Sequence, residues 1–174
     1  MSNWLDKIVP SVVRSKDDDR RTTVPDGLWS KCKACNAVLY QPEFQRNQSV
    51  CPKCGYHGRL GARERLSRFF DEGSSSELFS DLETDDYLKF RDQKKYRDRL
   101  SQARKLTGEK DALIAMEGLL MGKSLVSVAF EFQFMGGSMG TVVGEKFVRA
   151  GELCLEKQIP LVCFSASGGA RMQE

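Results

Sequence analysis

The chain has 174 residues, 40% hydrophobic and 29% charged, with a formal net charge of +3; this fits one ordinary soluble domain, or a small module joined to a medium one, and excludes wholesale disorder. No run of about 18 apolar residues occurs, and the opening MSNWLDKIVPSVVRSKDDDRR lacks the apolar core and small-residue cleavage site of a secretory signal, so a cytoplasmic protein with no membrane span is expected. The charge is too small to argue for nucleic acid by itself but is unevenly spread: Leu28 to Phe70 holds eight Lys and Arg against Glu43 and Glu64, a net of about +6.

Residues 1 to about 27 are polar, with the charge run KDDDRR and a Pro25-Asp26-Gly27 turn signal, and read as a flexible leader. A cysteine-rich module of short strands and turns follows over 28–58, with AVLYQ weakly alternating. GARERLSRFFDEG predicts a short helix with Leu66, Phe69 and Phe70 on one face and Gly73 as its stop. SSSELFSDLETDD reads as a polar connection, and RDQKKYRDRLSQARKLTG as a helix with Tyr96, Leu100 and Ala103 in a stripe and Gly108 at its end. Two apolar runs flank Met121-Gly122-Lys123, the signature of a hairpin or of two sequential strands, the second becoming buried on both faces. After FMGGSMG, a helix with Val143, Phe147, Ala150 and Cys154 in a stripe is expected, and then a short strand LVCF whose Gly-Gly turn should open another helix. The chain stops there with nothing to cover the sheet, so a piece of a longer protein is expected.

Cys32-x2-Cys35 and Cys51-x2-Cys54, separated by 15 residues, have the spacing of a four-cysteine zinc site. Zinc takes a tetrahedron of thiolates, and a tight turn with two cysteines three positions apart supplies two vertices at once. Pro52 suits such a turn and Gly55 relaxes it. A ribbon of roughly 30 residues buries too little apolar surface to fold unaided, so the metal supplies folding energy. Disulfides conflict with a reducing compartment, and four thiolates leave no open position, which makes the site structural. His57 lies outside this complete set, and Cys154 and Cys163 read as inert core thiols. Lys31, Lys33, Lys53 and Arg59 are placed to meet phosphates, with Tyr40, Phe44 or Tyr56 to stack on bases. A solvated face, or one that meets an acidic protein or a polyphosphate ligand, is the other reading.

A buried strand ending in Gly168-Gly169 presents backbone N–H groups that suit a phosphate or the oxygen of a thioester enolate; a simple tight turn is the alternative. FMGGSMG has the same two readings. Ser165 and Ser167 lie outside any G-x-S-x-G pattern and the chain has no second histidine, which rejects a serine hydrolase. Glu131 and Glu145 receive no role.

Together, the four-cysteine ribbon, FEFQFMGGSMGTVVGEKF and PLVCFSASGGARMQE resemble the beta subunit of the bacterial and plastid acetyl-CoA carboxylase carboxyltransferase, from about Trp29 to Glu174. Carboxyltransferases acting on propionyl-CoA look similar in the second half but generally lack the ribbon, so its presence points to acetyl-CoA. The resemblance implies an α/β architecture: the zinc ribbon, then over 59–174 the first part of a crotonase-like domain of stacked ββα units. It implies transfer of a carboxyl group from carboxybiotin, supplied on a biotin carboxyl carrier protein, to acetyl-CoA, giving malonyl-CoA for fatty acid synthesis. No side-chain nucleophile is needed, because released CO2 and N1-deprotonated biotin share the proton work. By position, Gly168 and Gly169 match the family's oxyanion turn, Gly136, Gly137 and Arg171 its substrate-binding positions, and Cys32, Cys35, Cys51 and Cys54 its zinc ligands. The implied partners are a carboxyltransferase alpha subunit in an alpha2beta2 tetramer, the carrier protein and biotin carboxylase, in the cytoplasm or the plastid stroma. Members continue well past the SGGAR turn, so this chain is expected to be inactive alone.

Overall fold

A computed structural model describes residues 27–174, which leaves the expected leader, Gly27 apart, outside the described residues. The described residues divide into two compact units, 27–57 and Gly58–Glu174.

In the first unit, β1 (Trp29–Lys31) and β2 (Val38–Tyr40) form an antiparallel pair with Trp29 opposite Tyr40. A one-and-a-half-turn helix, α1 (Gln41–Arg46), follows where only strands and turns were expected; Pro42 in its first turn costs no hydrogen bond there. The two cysteine knuckles are built alike. In the first, the Asn36 N–H donates to the Cys32 carbonyl (3.0 Å) and the Cys32 N–H to the Ala37 carbonyl (2.9 Å). In the second, the Gly55 N–H donates to the Cys51 carbonyl (2.9 Å) and the Cys51 N–H to the Tyr56 carbonyl (2.8 Å). Both turns need a left-handed residue after the second cysteine, supplied by Asn36 at φ 56° and Gly55 at φ 72°.

The second unit is a four-stranded sheet in the order β3-β4-β5-β6. The hairpin of β4 (Leu113–Leu120) and β5 (Lys123–Phe130) is its centre. Met121 and Gly122 turn it at φ 52° and 75°, the primed geometry that matches strand twist. The Asp71 carboxylate accepts both turn N–H groups, from Met121 at 2.9 Å and Gly122 at 2.8 Å. Side chains alternate across the hairpin. Leu113, Ala115, Val126 and Val128 face a core shared with α3 (Tyr96–Thr107) and α4 (Thr141–Lys157), while Ile114, Met116, Leu125 and Ala129 face α2 (Ala62–Phe69). Both faces of the hairpin are therefore covered within this unit, as fully buried strands require.

From β5 the chain crosses through α4 to β6 (Leu161–Phe164), which pairs parallel to β5. α3 ends at Gly108 in the left-handed conformation, as its sequence predicts. α2 ends at Phe69, earlier than the Gly73 stop, because Phe70 turns extended and buries its ring against Gly118, where a Cβ would lie 2.7 Å from the ring. β3 (Ser76–Leu78), in the stretch read as a polar connection, is strand only because it pairs with β4. On α4 the buried stripe is Val142, Val143, Lys146, Ala150 and Cys154. Phe147, expected inside, is 41% exposed because Lys146 takes the inward position. Cys163, expected in the core, is exposed on β6; residues 165–169 are in neither helix nor strand, and in place of the helix expected after Gly169, Ala170 bridges to Met139 and 172–173 form a turn.

Candidate metal centre and glycine-turn site

The four cysteine Sγ atoms of the knuckles lie within 4.8 Å of one another. Cys32 and Cys54 are 3.7 Å apart and Cys35 and Cys51 3.8 Å. A tetrahedral ion with about 2.3 Å bonds to sulfur demands an edge of about 3.8 Å, and these two edges already have that length. The proton chemistry of the bare thiols points the same way. The Cys35 backbone N–H, ahead of burial and other hydrogen bonds, brings Cys32 down to about 6. Cys54 is pushed up to about 12, against the lowering pull of the Tyr56 N–H, by its thiol neighbours Cys35, Cys32 and Cys51 and by burial. Four sulfurs this close hold four negative charges only around a cation. The donor set is closed and soft, which suits a structural zinc with no catalytic position. His57 stays outside it, exposed and bridged through its backbone to Val50.

The glycine turns are brought together at the ends of β5 and β6. Met135–Gly137 is one 3-10 turn, with Gly136 at φ 71° and Gly137 at φ 66°. The Gly168 N–H donates to the Gly136 carbonyl (2.9 Å), the Met139 N–H to the Gly169 carbonyl (2.9 Å), and the Arg171 N–H to the Met139 carbonyl (2.8 Å). A Cβ on Gly137 would lie 2.1 Å from the Ala166 carbonyl oxygen, so this glycine is set by close backbone approach. The two turns thus clasp one another, and Gly136 and Gly137 spend themselves on the clasp. Of the two expected oxyanion donors, Gly168 is already committed to Gly136. Among the described residues the Gly169 N–H meets only the hydroxyl of exposed Ser167, at 3.1 Å, which a ligand oxygen can replace.

Arg171, expected at a substrate, is instead fully buried. Its guanidinium donates to both Asp111 carboxylate oxygens at 3.0 Å, to the Ser138 carbonyl (2.8 Å) and hydroxyl (3.1 Å), to the Tyr96 hydroxyl (3.2 Å) and to Glu174 (3.0 Å). Burial opposes the charge, but the Asp111 bonds more than restore it, and the pKa lies above the usual arginine value. Tyr96 also donates to Glu174, and Thr84 to Asp111. Sequence reading misses this network because the hydroxyl of a stripe residue and an aspartate before an apolar run carry no pattern. Glu131, left without a role, is buried and accepts the Ala62 N–H at the start of α2 (2.9 Å) and the Gln133 N–H (2.9 Å). Glu145 pairs with Arg149 on the surface of α4.

Beside the clasp, a groove of about 420 Å³ runs along the strand ends between Arg59, Arg65, Phe132, Phe164 and Ser165. The Arg59 guanidinium lies 3.9 Å from the Phe132 ring centre and that of Arg65 5.4 Å from Phe164. Stacking fixes both cations while leaving their N–H donors open, and among the described residues neither meets a carboxylate.

The chain is similar to known proteins in sequence and fold. Residues 29–54 match the model of the acetyl-CoA carboxylase zinc finger domain, and residues 56–174 that of the carboxyl transferase domain. A solved transcarboxylase 12S with methylmalonyl-coenzyme A bound is 26% identical with a TM-score of 0.52, over 76% of this chain and 22% of its own. The beta subunit of Pseudomonas aeruginosa geranyl-CoA carboxylase is 25% identical with a TM-score of 0.48, over 76% and 20%. A Pseudomonas malonate decarboxylase hetero-tetramer in complex with malonate is 31% identical with a TM-score of 0.47, over 66% and 40%. The chain therefore spans 20% to 40% of the length of these solved chains. With a four-cysteine ribbon joined to a crotonase-like sheet, and a match over residues 56–174, the chain belongs to the carboxyl transferase domain family.

Proposed function

We propose that the chain supplies the acyl-CoA half of a biotin-dependent carboxyltransferase that converts acetyl-CoA to malonyl-CoA, feeding fatty acid synthesis. The carrying observation is the Gly169 N–H, presented from a rigid clasp with a single exchangeable partner, the Ser167 hydroxyl. Acetyl-CoA, rather than a longer acyl group, is favoured by the match of residues 29–54 to the acetyl-CoA carboxylase zinc finger.

In this reading the thioester oxygen displaces the Ser167 hydroxyl and takes the Gly169 N–H, which stabilises the enolate as charge moves onto that oxygen. Carboxybiotin, brought by its carrier protein, would supply the CO2 and the base that takes the α-proton, so this chain's own residues need hold only the thioester and its enolate oxygen. The α-carbon then bonds to CO2, so malonyl-CoA and protonated biotin leave together. Gly168 holds the clasp, and Arg59 and Arg65 bind the anionic coenzyme tail. Zinc fixes the fold of the ribbon and touches no reacting atom. The alpha subunit, in an alpha2beta2 tetramer, and biotin carboxylase complete the assembly, in the cytoplasm or plastid stroma.

The test is the reverse reaction. The chain, extended by the remainder found in its relatives and mixed with an alpha subunit, is assayed for malonyl-CoA decarboxylation with free biotin. Turnover is expected, with KM for malonyl-CoA raised at least about tenfold by Arg59→Glu with Arg65→Glu, from the loss of two charge-assisted contacts. No turnover from a zinc-loaded, folded complex overturns the reading. A second reading, a nucleic-acid-binding ribbon, is favoured by the exposed Trp29 and Tyr40 rings, 5.1 Å apart beside Lys31. A salt-dependent RNA or DNA shift lost on Lys31→Glu with Lys53→Glu supports it.

A further inference from the structure

We propose that Arg171 is a positioning residue, a rivet that sets the angle at which the Gly169 N–H is presented. The inference rests on the proposed role of that N–H. Arg171 belongs to the second glycine turn, yet its side chain grips the first, through the Ser138 carbonyl and hydroxyl. The same guanidinium is anchored from below by Asp111, at the entry to β4, and by Tyr96, in the first turn of α3. Backbone and side chain of one residue therefore tie the two glycine turns to the start of α3 and the entry to β4. All three guanidinium nitrogens have acceptors, and Asp111 is held bidentate. Lysine, with one nitrogen, can take the place of Nη2 between one Asp111 oxygen and the Ser138 carbonyl, but it cannot also keep the bidentate Asp111 pair and the bonds to the Ser138 and Tyr96 hydroxyls. The bidentate pair has 0% side-chain exposure on either partner, so solvent does not substitute for a lost bond.

A residue that only stabilises the fold raises the unfolded fraction without changing the turnover of folded enzyme. A positioning residue lowers kcat of the folded enzyme and leaves KM for the thioester unchanged. The extended chain assembled with its alpha subunit, as wild type, Arg171→Lys, Tyr96→Phe and Ser138→Ala, is assayed for malonyl-CoA decarboxylation. In parallel, amide exchange is followed in the 174-residue chain. Arg171→Lys is expected to lower kcat about 100-fold, the scale of one misaligned oxyanion donor, with KM within about threefold. Its Met139 and Gly168 amides should exchange at least about 100-fold faster relative to the β4 and β5 core. Should Arg171→Lys fail to fold, Tyr96→Phe and Ser138→Ala, which keep the guanidinium, carry the test with smaller effects of the same sign. Unchanged kcat in the folded variants, or exchange that rises equally in turn and core, overturns the proposal. If the wild-type complex itself has no turnover, the proposed function falls instead, and the exchange arm still decides whether the rivet holds the clasp.

Discussion

At the residue scale, the clasp depends on atoms that are absent. Gly137 combines φ 66° with a Cβ position 2.1 Å from the Ala166 carbonyl oxygen, so no side chain fits without separating the two turns. Gly137→Ala is predicted to cost at least about 3 kcal/mol in urea unfolding of the second unit, from left-handed strain plus overlap with immobile backbone. Lys146 is a different kind of cost. Its amine is buried on α4 and donates to the Leu113 carbonyl (3.0 Å). Burial draws its pKa below the ordinary 10.5, against the pull of Glu77, Asp111 and Glu109, with Lys110 adding to the fall. Between the folded value and 10.5 the unfolded chain binds more protons, so unfolding free energy rises with pH over that window. Urea midpoints of wild type minus Lys146→Met are predicted to rise from pH 7 toward pH 10.

At the element scale, the parts legible in the sequence are those whose cause is local. The hairpin follows from Met121-Gly122 between apolar runs, the end of α3 from Gly108, and the paired knuckles from cysteine spacing with Gly55. What was not legible has its cause far along the chain. β3 exists only through its partner strand, Glu131 caps a helix 69 residues away, and Arg171 finds Asp111 across 60. The α4 stripe was misread at one position because a lysine with an internal carbonyl acceptor is as buriable as a phenylalanine, and periodicity alone does not see that acceptor. α4 also carries an exposed Gly144 and a half-buried Gly151, with open space where a Cβ would stand. Gly144→Ala and Gly151→Ala are each predicted to stabilise the second unit by about 0.5 to 1 kcal/mol, since nothing opposes the gain in helix propensity. A neutral or destabilising effect in thermal melts would mean that this helix face is not open in the folded chain.

At the scale of the whole molecule, two units with different sources of stability share one chain. The ribbon buries only Cys32, Leu39, Cys51 and Ser49, whereas the second unit has a layered core on both faces of its hairpin. Chelation is therefore predicted to unfold residues 29–57, read by the fluorescence of Trp29 in a Trp4→Phe background, while the melt of the second unit shifts by less than about 1 kcal/mol. Coupled loss of both signals would contradict independent folding.

The central claim, that the clasped turns at the strand ends receive an acyl-CoA, is tested most directly by titrating the zinc-loaded, 15N-labelled chain with acetyl-CoA and following its amide spectrum. Saturable shifts at Gly169, Ser167 and the strand-end residues Phe132 and Ser165, lost in Arg59→Glu with Arg65→Glu, are the predicted result. Silence at these amides, together with shifts confined to Trp29, Lys31 and Tyr40 when single-stranded RNA is added, would contradict it and move the function to the ribbon.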